Sequence, residues 1–482
     1  MNYDGFIGQT YVSSTPSVDC EECQNLFPEI INGPGITPKS RFILRRRAGL
    51  NLLQTLGDNP GRGKYSINGR DFAVVGGSFF ELLTPTTSVL RGSIPYGTSA
   101  VQMKCNTVQV GLLADGLLYM FNLGTNTFLP VTGQDGLPAY CVSLDVIDTY
   151  FLILGQSSNE FGISTPLDGT QWSGLDFGSS EEPDNAVAIA QLHLYLWIFG
   201  QQETIIFQDS GNANFPFTRV QGSQIEQGCG AVDSPCIADN TLFWLGSDAR
   251  GPAIAYRADG FLPTRVSTHA VEEAWQSYPT TSDCSTYPYQ ENGHLFVMWH
   301  FPSANGGVGA TWGYDIATGM WHKRGAWNTG VGEYTGSLER FHSFCFGKHV
   351  VADWTSGNIY EMSTAFATDN GAPIRWLRAA PNVSDDGKWL FFAYFQVDMQ
   401  TGGGLPNGAT PVVMVRWSDD GGSTWCTPRE VSCGATGKYG LRVRSNRNGR
   451  SRSQRVYEIS GTDPIPELVL MGASLGVKEG LF

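Results

Sequence analysis

The chain has 482 residues, a formal net charge of −14, 59 glycines, 12% aromatic residues and only 16% charged residues. That length exceeds one compact core and suits two or more domains. The acidic balance excludes a general nucleic-acid binder, because phosphate contacts need Lys and Arg, but it admits a passage through which DNA slides without sticking; plain solubility is the simpler account.

Taken in chain order, the N-terminal "MNYDGFIGQTYVSST" has no basic segment followed by an apolar core, so no signal peptide is expected. Residues 1–40, rich in Pro and Gly, are expected as an arm or as a strand that closes a ring. From 41 to 373 a weak repeat runs through the chain: an apolar strand, a Gly-centred turn, a second strand ending near an aromatic, then a polar loop. Phe72, Leu117, Phe151, Leu194, Phe243, Phe296 and Val350 mark successive starts, roughly 35 to 55 residues apart, the spacing of propeller blades. A single short sheet cannot bury both faces, whereas radial packing of blades does. Six or seven blades fit the pattern. One helix is expected, at "STHAVEEAWQSY" (267–278), where Ala270, Val271, Ala274 and Trp275 share a face and Ser267 or Thr268 can cap. "GGVGA" (306–310) reads as a hairpin turn, since no helix follows it. "LHLYLWIF" and "WLFFAYF" are too short to span a membrane and read as buried strands. Beyond 373 the strands lengthen, so 374–482 is expected as a β-sandwich-like domain or a modified last blade. The fold expected is all-β: a β-propeller with a β-sandwich-like C-terminal region.

"RWSDDGGSTW" places Ser418, Asp420, Gly422, Thr424 and Trp425 at the spacing of the Asp box, a hairpin signature of sialidases and other propellers. Ser and Asp side chains accept from turn N–H groups, Gly allows positive φ, and the Trp is expected to pin the turn to its sheet. "LDGTQW" (167–172) resembles a degenerate second copy. The competing function is therefore a carbohydrate-active or carbohydrate-binding propeller. The early Arg-Ile-Pro that marks sialidases is absent, since "GSIPYG" lacks the arginine. Asp419/Asp420, Asp385/Asp386 and Glu181/Glu182 read as solvated turn residues rather than an acid/base pair. The seven histidines show no i, i+4 pair on a helix, Cys20-x-x-Cys23 has no second pair, and the ten cysteines read as reduced thiols. No catalytic, metal or cofactor residues are assigned.

"LRVRSNRNGRSRSQRVYEI" reads as a hairpin turning at Asn448-Gly449, with Arg442 and Arg444 on one face and Arg450 and Arg452 together on the returning strand. Such a stripe suits DNA phosphates, an acidic patch on an identical subunit, or an ion-paired solvated face. The whole-chain charge opposes strong DNA binding and favours the subunit contact.

Several stretches together, "CQNLFPE", "SEEPDNAVAIA", "LYLWIFGQQETIIFQDSG", "GCGAVDSPCIADNTLFWLG", "RVSTHAVEEAW", "YDIATGMWHKR" and "GRSRSQRVYEISGTDPIPELVLMGASLGV", resemble the tail-hub, or packaged-DNA stabilisation, proteins of short-tailed bacteriophages. The resemblance runs from about Cys23 to the end, with tail nozzle proteins as more distant likenesses. It implies a non-enzymatic virion protein assembled in the host cytoplasm, six copies forming a ring below the portal and its adaptor. That ring would extend the double-stranded DNA channel, retain the genome with a plug or needle, and anchor tailspikes or fibres. It implies no cofactor.

Overall fold

The computed structural model describes residues 1–31, 41–179, 184–212, 215–248, 251–385 and 387–480. Among them, seven antiparallel sheets of four main strands follow one another round a ring. The first six span Gly61–Ser93, Gln102–Pro130, Cys141–Ser179, Ala186–Arg219, Gly228–Arg265 and Ser285–Arg324, the fifth having a split inner edge. The seventh combines Glu339–Cys345, Lys348–Asp353 and Asn358–Ser363 with Gly49–Thr55, a strand that precedes the first blade in sequence. That pairing closes the ring with main-chain hydrogen bonds between segments three hundred residues apart.

The blade strands read as continuous apolar runs because both faces are buried. Seven clusters fill the seven gaps between blades. Phe72, Phe79 and Phe121 pack between the first and second, Leu113, Phe151 and Trp172 between the next two, and Leu152, Phe161 and Phe207 after them. Trp197, Phe199 and Trp244 follow, then Phe243, Trp299 and Trp321, then Leu50, Tyr287, Phe296 and Tyr360. Ala73, Leu82, Val350 and Ile359 seal the last against the first. Turn chemistry sets the strand ends: at Asp115-Gly116 both residues have positive φ (49° and 82°), as a tight two-residue hairpin requires.

The expected helix forms over His269–Gln276, with the Thr268 hydroxyl accepting from the Val271 N–H. Its Trp275 is fully buried, 5.4 Å from the Trp299 ring and 5.0 Å from Phe301. The "GGVGA" stretch lies in the connection between the paired strands His294–Phe301 and Ala310–Asp315, with Asn305 and Gly306 left-handed.

Two further sheets face each other beside the ring. One holds Cys20–Gln24, Trp376–Ala379, Val456–Gly461, Val412–Ser418 and Arg429–Ser432, and joins the sixth blade through a parallel pairing of Gln24 with Lys323. The other holds Leu26–Ile30, Phe42–Arg46, Val469–Glu479 and Leu390–Met399, with Val443–Asn446 and Arg450–Ser451 on its edge. Tyr3, Phe6, Leu26, Leu44, Trp376, Phe392 and Leu475 fill the space between them, and Phe395 stacks on Tyr457 at 4.6 Å.

The N-terminal stretch differs from the expected arm or ring-closing strand. Its strands Cys20–Gln24 and Leu26–Ile30 belong to the sandwich sheets, and the ring is closed by Gly49–Thr55 instead. Residues 32–40 lie outside the described residues. The physical reason is the apolar anchors Tyr3 and Phe6, together with Arg378. Its fully buried guanidinium donates to the carbonyls of Phe6 (2.7 Å), Gln9 (3.0 Å) and Gly5 (2.8 Å) and pairs with Glu21. Where the chain passes from one sandwich sheet to the other, Asn25 is left-handed (φ 58°) and fully buried. Its amide donates to the carbonyls of Gly325 (2.8 Å) and Arg375 (2.7 Å), while its oxygen accepts from Arg47 Nε (2.8 Å) and the Gly325 N–H (2.9 Å). This one side chain ties sandwich to propeller.

Candidate functional site

The Asp-box-like turn sits on the sandwich, after strand Val412–Ser418. The Ser418 hydroxyl donates to Asp420 Oδ1 (2.6 Å) and accepts from the Gly422 N–H (2.9 Å). Asp420 accepts from the Thr424 N–H (2.8 Å) and hydroxyl (2.6 Å). These hydrogen bonds, from Ser418 and then Thr424, hold the Asp420 carboxyl at about 2, below its ordinary value. Gly421 and Gly422 take φ of 70° and 103°. Trp425 is half-buried and lies under the guanidinium of Arg416 at 4.6 Å, and Arg416 is itself bidentate to Glu458 (2.6 Å to each oxygen). Neighbouring Asp419 is bidentate to the buried Arg455 (2.6 and 2.9 Å). The polar groups of the box are thus committed to the turn.

The second copy lies in the third blade. Asp168 accepts from the Thr170 N–H (3.0 Å) and hydroxyl (2.7 Å), and the buried Trp172 donates to the Gly169 carbonyl (2.7 Å). The same device recurs at positions that motif reading passed over. Asp353 holds the Thr355 N–H and the Ser356 hydroxyl, Asp315 holds the Thr318 hydroxyl, and Asn122 holds the N–H groups of Gly124 and Thr125. An Asp or Asn followed within three residues by Ser or Thr, between two apolar strands, is the signal that finds them.

The Arg-rich segment is not a hairpin. Val443–Asn446 and Arg450–Ser451 both pair antiparallel with the same strand, Leu390–Met399, through Phe395↔Ser445 and Phe391↔Arg450. The chain keeps its direction and loops out between them. Arg447 and Gly449 are left-handed (φ 56° and 75°), while the N–H groups of Arg447 and Asn448 donate to the carbonyls of Ala393 and Phe392. Asn448 is fully buried beside Ser445, so the Asn-Gly that signals a turn anchors a bulge instead. Arg442 and Arg450 are exposed and Arg444 is half-buried. Arg444 stacks 3.5 Å from the Tyr394 ring and Arg450 4.6 Å from Trp389. Arg452, also exposed, donates to the Gly387 carbonyl at 2.8 Å. Among the described residues, no carboxylate forms an ion pair with any of these four, whereas Arg378, Arg416 and Arg455 close by are all paired.

Of the carboxylate pairs considered, Glu181/Glu182 and Asp386 fall outside the described residues. Among the described residues no group of three His, Cys, Asp or Glu side chains is placed to hold a metal ion. Cys23 is buried and donates to the Leu26 carbonyl, and burial pushes its thiol up to about 12. His294 bonds Asp315 (2.8 Å), His300 bonds the Thr311 hydroxyl (2.9 Å), and His342 meets His349 (3.0 Å). No helix among the described residues is long and apolar enough to cross a membrane.

The propeller axis is bridged. Gln102, on the innermost strand of the second blade, donates 2.9 Å to Asp233 in the fifth, and its oxygen accepts from the Leu144 N–H of the third (2.8 Å). A DNA duplex, whose major groove alone is about 12 Å wide, has no path along this axis.

Charge is segregated between the regions. Residues 141–265, the third to fifth blades, carry 15 acidic side chains against 4 basic, with no lysine, whereas 374–482 carry 13 basic against 10 acidic.

Among solved structures, the N-terminal domain of Nup159 is similar at 10% identity, covering 70% of this chain and 98% of that one, with a TM-score of 0.42. The computationally designed Ika8 protein gives 10% identity, 64% and 99% coverage and a TM-score of 0.40. PorZ of the Porphyromonas gingivalis type-IX secretion system gives 11% identity, 79% and 46% coverage and 0.38. No curated protein sequence matches the chain. Two family models do match: residues 25–367 match the β-propeller of bacteriophage P22 Gp10, and residues 375–475 match its β-sandwich. With the propeller and the sandwich both matched and both observed, the chain belongs to the bacteriophage P22 Gp10 family of structural tail proteins of the virion.

Proposed function

We propose that this chain is the tail-hub subunit of a short-tailed phage. Six copies form a ring below the portal and adaptor, extend the DNA channel, retain the packaged genome with a plug or needle, and anchor tailspikes or fibres. The single observation that carries this reading is the family match across both regions. The bridged axis adds a constraint: DNA passes between subunits, through the hole the ring encloses, and never through a propeller. In this reading the propeller, whose strands run from Gly49–Thr55 to Asn358–Ser363, supplies the ring's wall, while Phe42–Arg46, expected in the propeller, belongs to the sandwich. Residues 374–482, joined by the strands of the N-terminal stretch, supply a sandwich that reaches neighbours. Assembly occurs in the host cytoplasm, and the protein is not an enzyme, since the Asp-box carboxylate is spent on its turn. Cryo-electron microscopy of intact tails tests this. A sixfold ring of the chain around a channel wide enough for a duplex is expected, and tails in which it is monomeric or trimeric would overturn it. Turnover of sialosides by the purified chain would overturn the non-enzymatic assignment.

A further inference from the structure

The outward face of the second sandwich sheet is basic and aromatic in an acidic chain. Arg444 lies over Tyr394 and Arg450 over Trp389, with Phe391 44% exposed between the strands and Lys478 paired opposite it. Tyr439 (74%) and Leu441 (41%) continue the exposed surface toward Arg442. The two stacked guanidinium groups are already held in place, so a partner that meets them loses little side-chain freedom. Arginine with exposed aromatics is the composition of a protein-contact core.

A matching surface exists elsewhere in the same chain. Asp148 sits in the turn that leads into Tyr150 in the third blade, and the Tyr150 ring lies 6.4 Å from Phe217 of the fourth. Phe217 pairs opposite Asp209, and Asp176 lies on the outer strand Asp168–Ser179 of the third blade. Burial first, and then these three carboxylates, raise the Tyr150 pKa. All three are exposed or half-exposed. The sandwich is continuous with the sixth blade, and its strand Phe42–Arg46 runs directly into Gly49–Thr55 of the seventh; in a seven-bladed ring the third blade lies across the axis from that junction. The basic and acidic surfaces therefore occupy opposite flanks of one subunit.

We propose that the Arg444/Arg450 face of one copy docks on the Asp148/Asp176/Asp209 rim of the next, a head-to-tail contact. Two unlike patches on opposite flanks generate a closed ring when the rotation between copies closes. A two-fold contact would instead set arginine against arginine. This inference rests on the ring reading above and assigns the surfaces that form it.

The test uses two full-length variants, Arg444→Glu/Arg450→Glu and Asp176→Arg/Asp209→Arg, with self-association read by sedimentation velocity at low salt. The wild type is expected to associate, and each variant alone to associate about tenfold or more weakly. An equimolar mixture of the two is expected to regain wild-type association, because the exchanged charges attract again and alternate round a ring. Circular dichroism confirms that each variant is folded, and rescue on mixing is unattainable for a misfolded one. Folded variants that associate like wild type, a mixture that stays dissociated, or a wild type that is monomeric at the highest attainable concentration overturns the inference. Loss of duplex-DNA binding by the arginine variant, read by fluorescence anisotropy with self-association unchanged, reassigns the face to nucleic acid. Failure here is distinct from failure of the ring reading, which intact wild-type tails decide by microscopy.

Discussion

Both regions bury paired arginines, Arg62 in the first blade as much as Arg378 and Arg455 in the sandwich, but the buried neutral histidines belong to the propeller. In the sandwich, Arg378 and Arg455 each meet a carboxylate and backbone carbonyls. The propeller buries histidines that must stay neutral. Burial pushes His300 and His322 well below the ordinary imidazole value, with nearby arginines adding to the effect, and holds His342 at about 3. A buried paired cation braces the fold at any physiological pH, because arginine does not release its proton. A buried neutral histidine braces it only while the solution is not acidic. One chain thus holds an acid-sensitive ring beside an acid-tolerant clasp.

Acid is the strongest way to break that comparison. A base whose folded pKa is depressed stabilises the fold above its unfolded value of about 6.5, and that stability falls as pH drops below it. Each such histidine contributes a slope of about 1.4 kcal/mol per pH unit. Urea titrations at pH 7, 6 and 5 should therefore show stability falling by several kcal/mol, with propeller tryptophan fluorescence reporting the loss. A flat profile would show that these imidazoles are protonated in the folded protein.

The clasp fails by substitution. Arg378→Ala removes donors to three carbonyls and leaves Glu21 without its partner, so a loss of about 3–5 kcal/mol is expected. Chemical denaturation measures it, and limited proteolysis should cut first near residues 5–9, which that guanidinium holds. Asn25→Ala breaks the joint between the regions. It strands Arg47 Nε, the Gly325 N–H and two carbonyls, at a cost of about 2–4 kcal/mol. Calorimetry should then resolve two transitions where the wild type shows one. Asp420→Asn is the mildest change. The carboxylate stabilises the turn above the unfolded value of about 4, and this contribution fades as pH falls toward 2, the folded value. A melting temperature within a degree or two of wild type at pH 7 is expected, with the difference vanishing once pH falls below about 2.

Much of this was legible from local pattern. The blade repeat reads off apolar runs because a strand buried on both faces carries its signature in its own residues. Ser418, Asp420 and Gly422 form their turn because every bond made by the Ser418 and Asp420 side chains spans four residues or fewer. The Arg-rich bulge was not legible. Asn448-Gly449 carries a hairpin signal, and only the Leu390–Met399 strand, offering partners on both sides of the loop, keeps the chain running straight. Arg442 lies just outside the strand Val443–Asn446 that carries Arg444, and that Arg444 rests on Tyr394 and Arg450 on Trp389 depends on a segment some fifty to sixty residues away.

By itself the sequence determined an all-β chain of repeated sheets, the turns between them and one capped helix, because these rest on short-range periodicity and turn stereochemistry. Tertiary structure alone decided that Gly49–Thr55 closes the ring and that the first thirty residues join the last hundred in a sandwich. Those outcomes are pairings between residues hundreds of positions apart, and their free energy belongs to the buried surfaces they create together rather than to either segment alone.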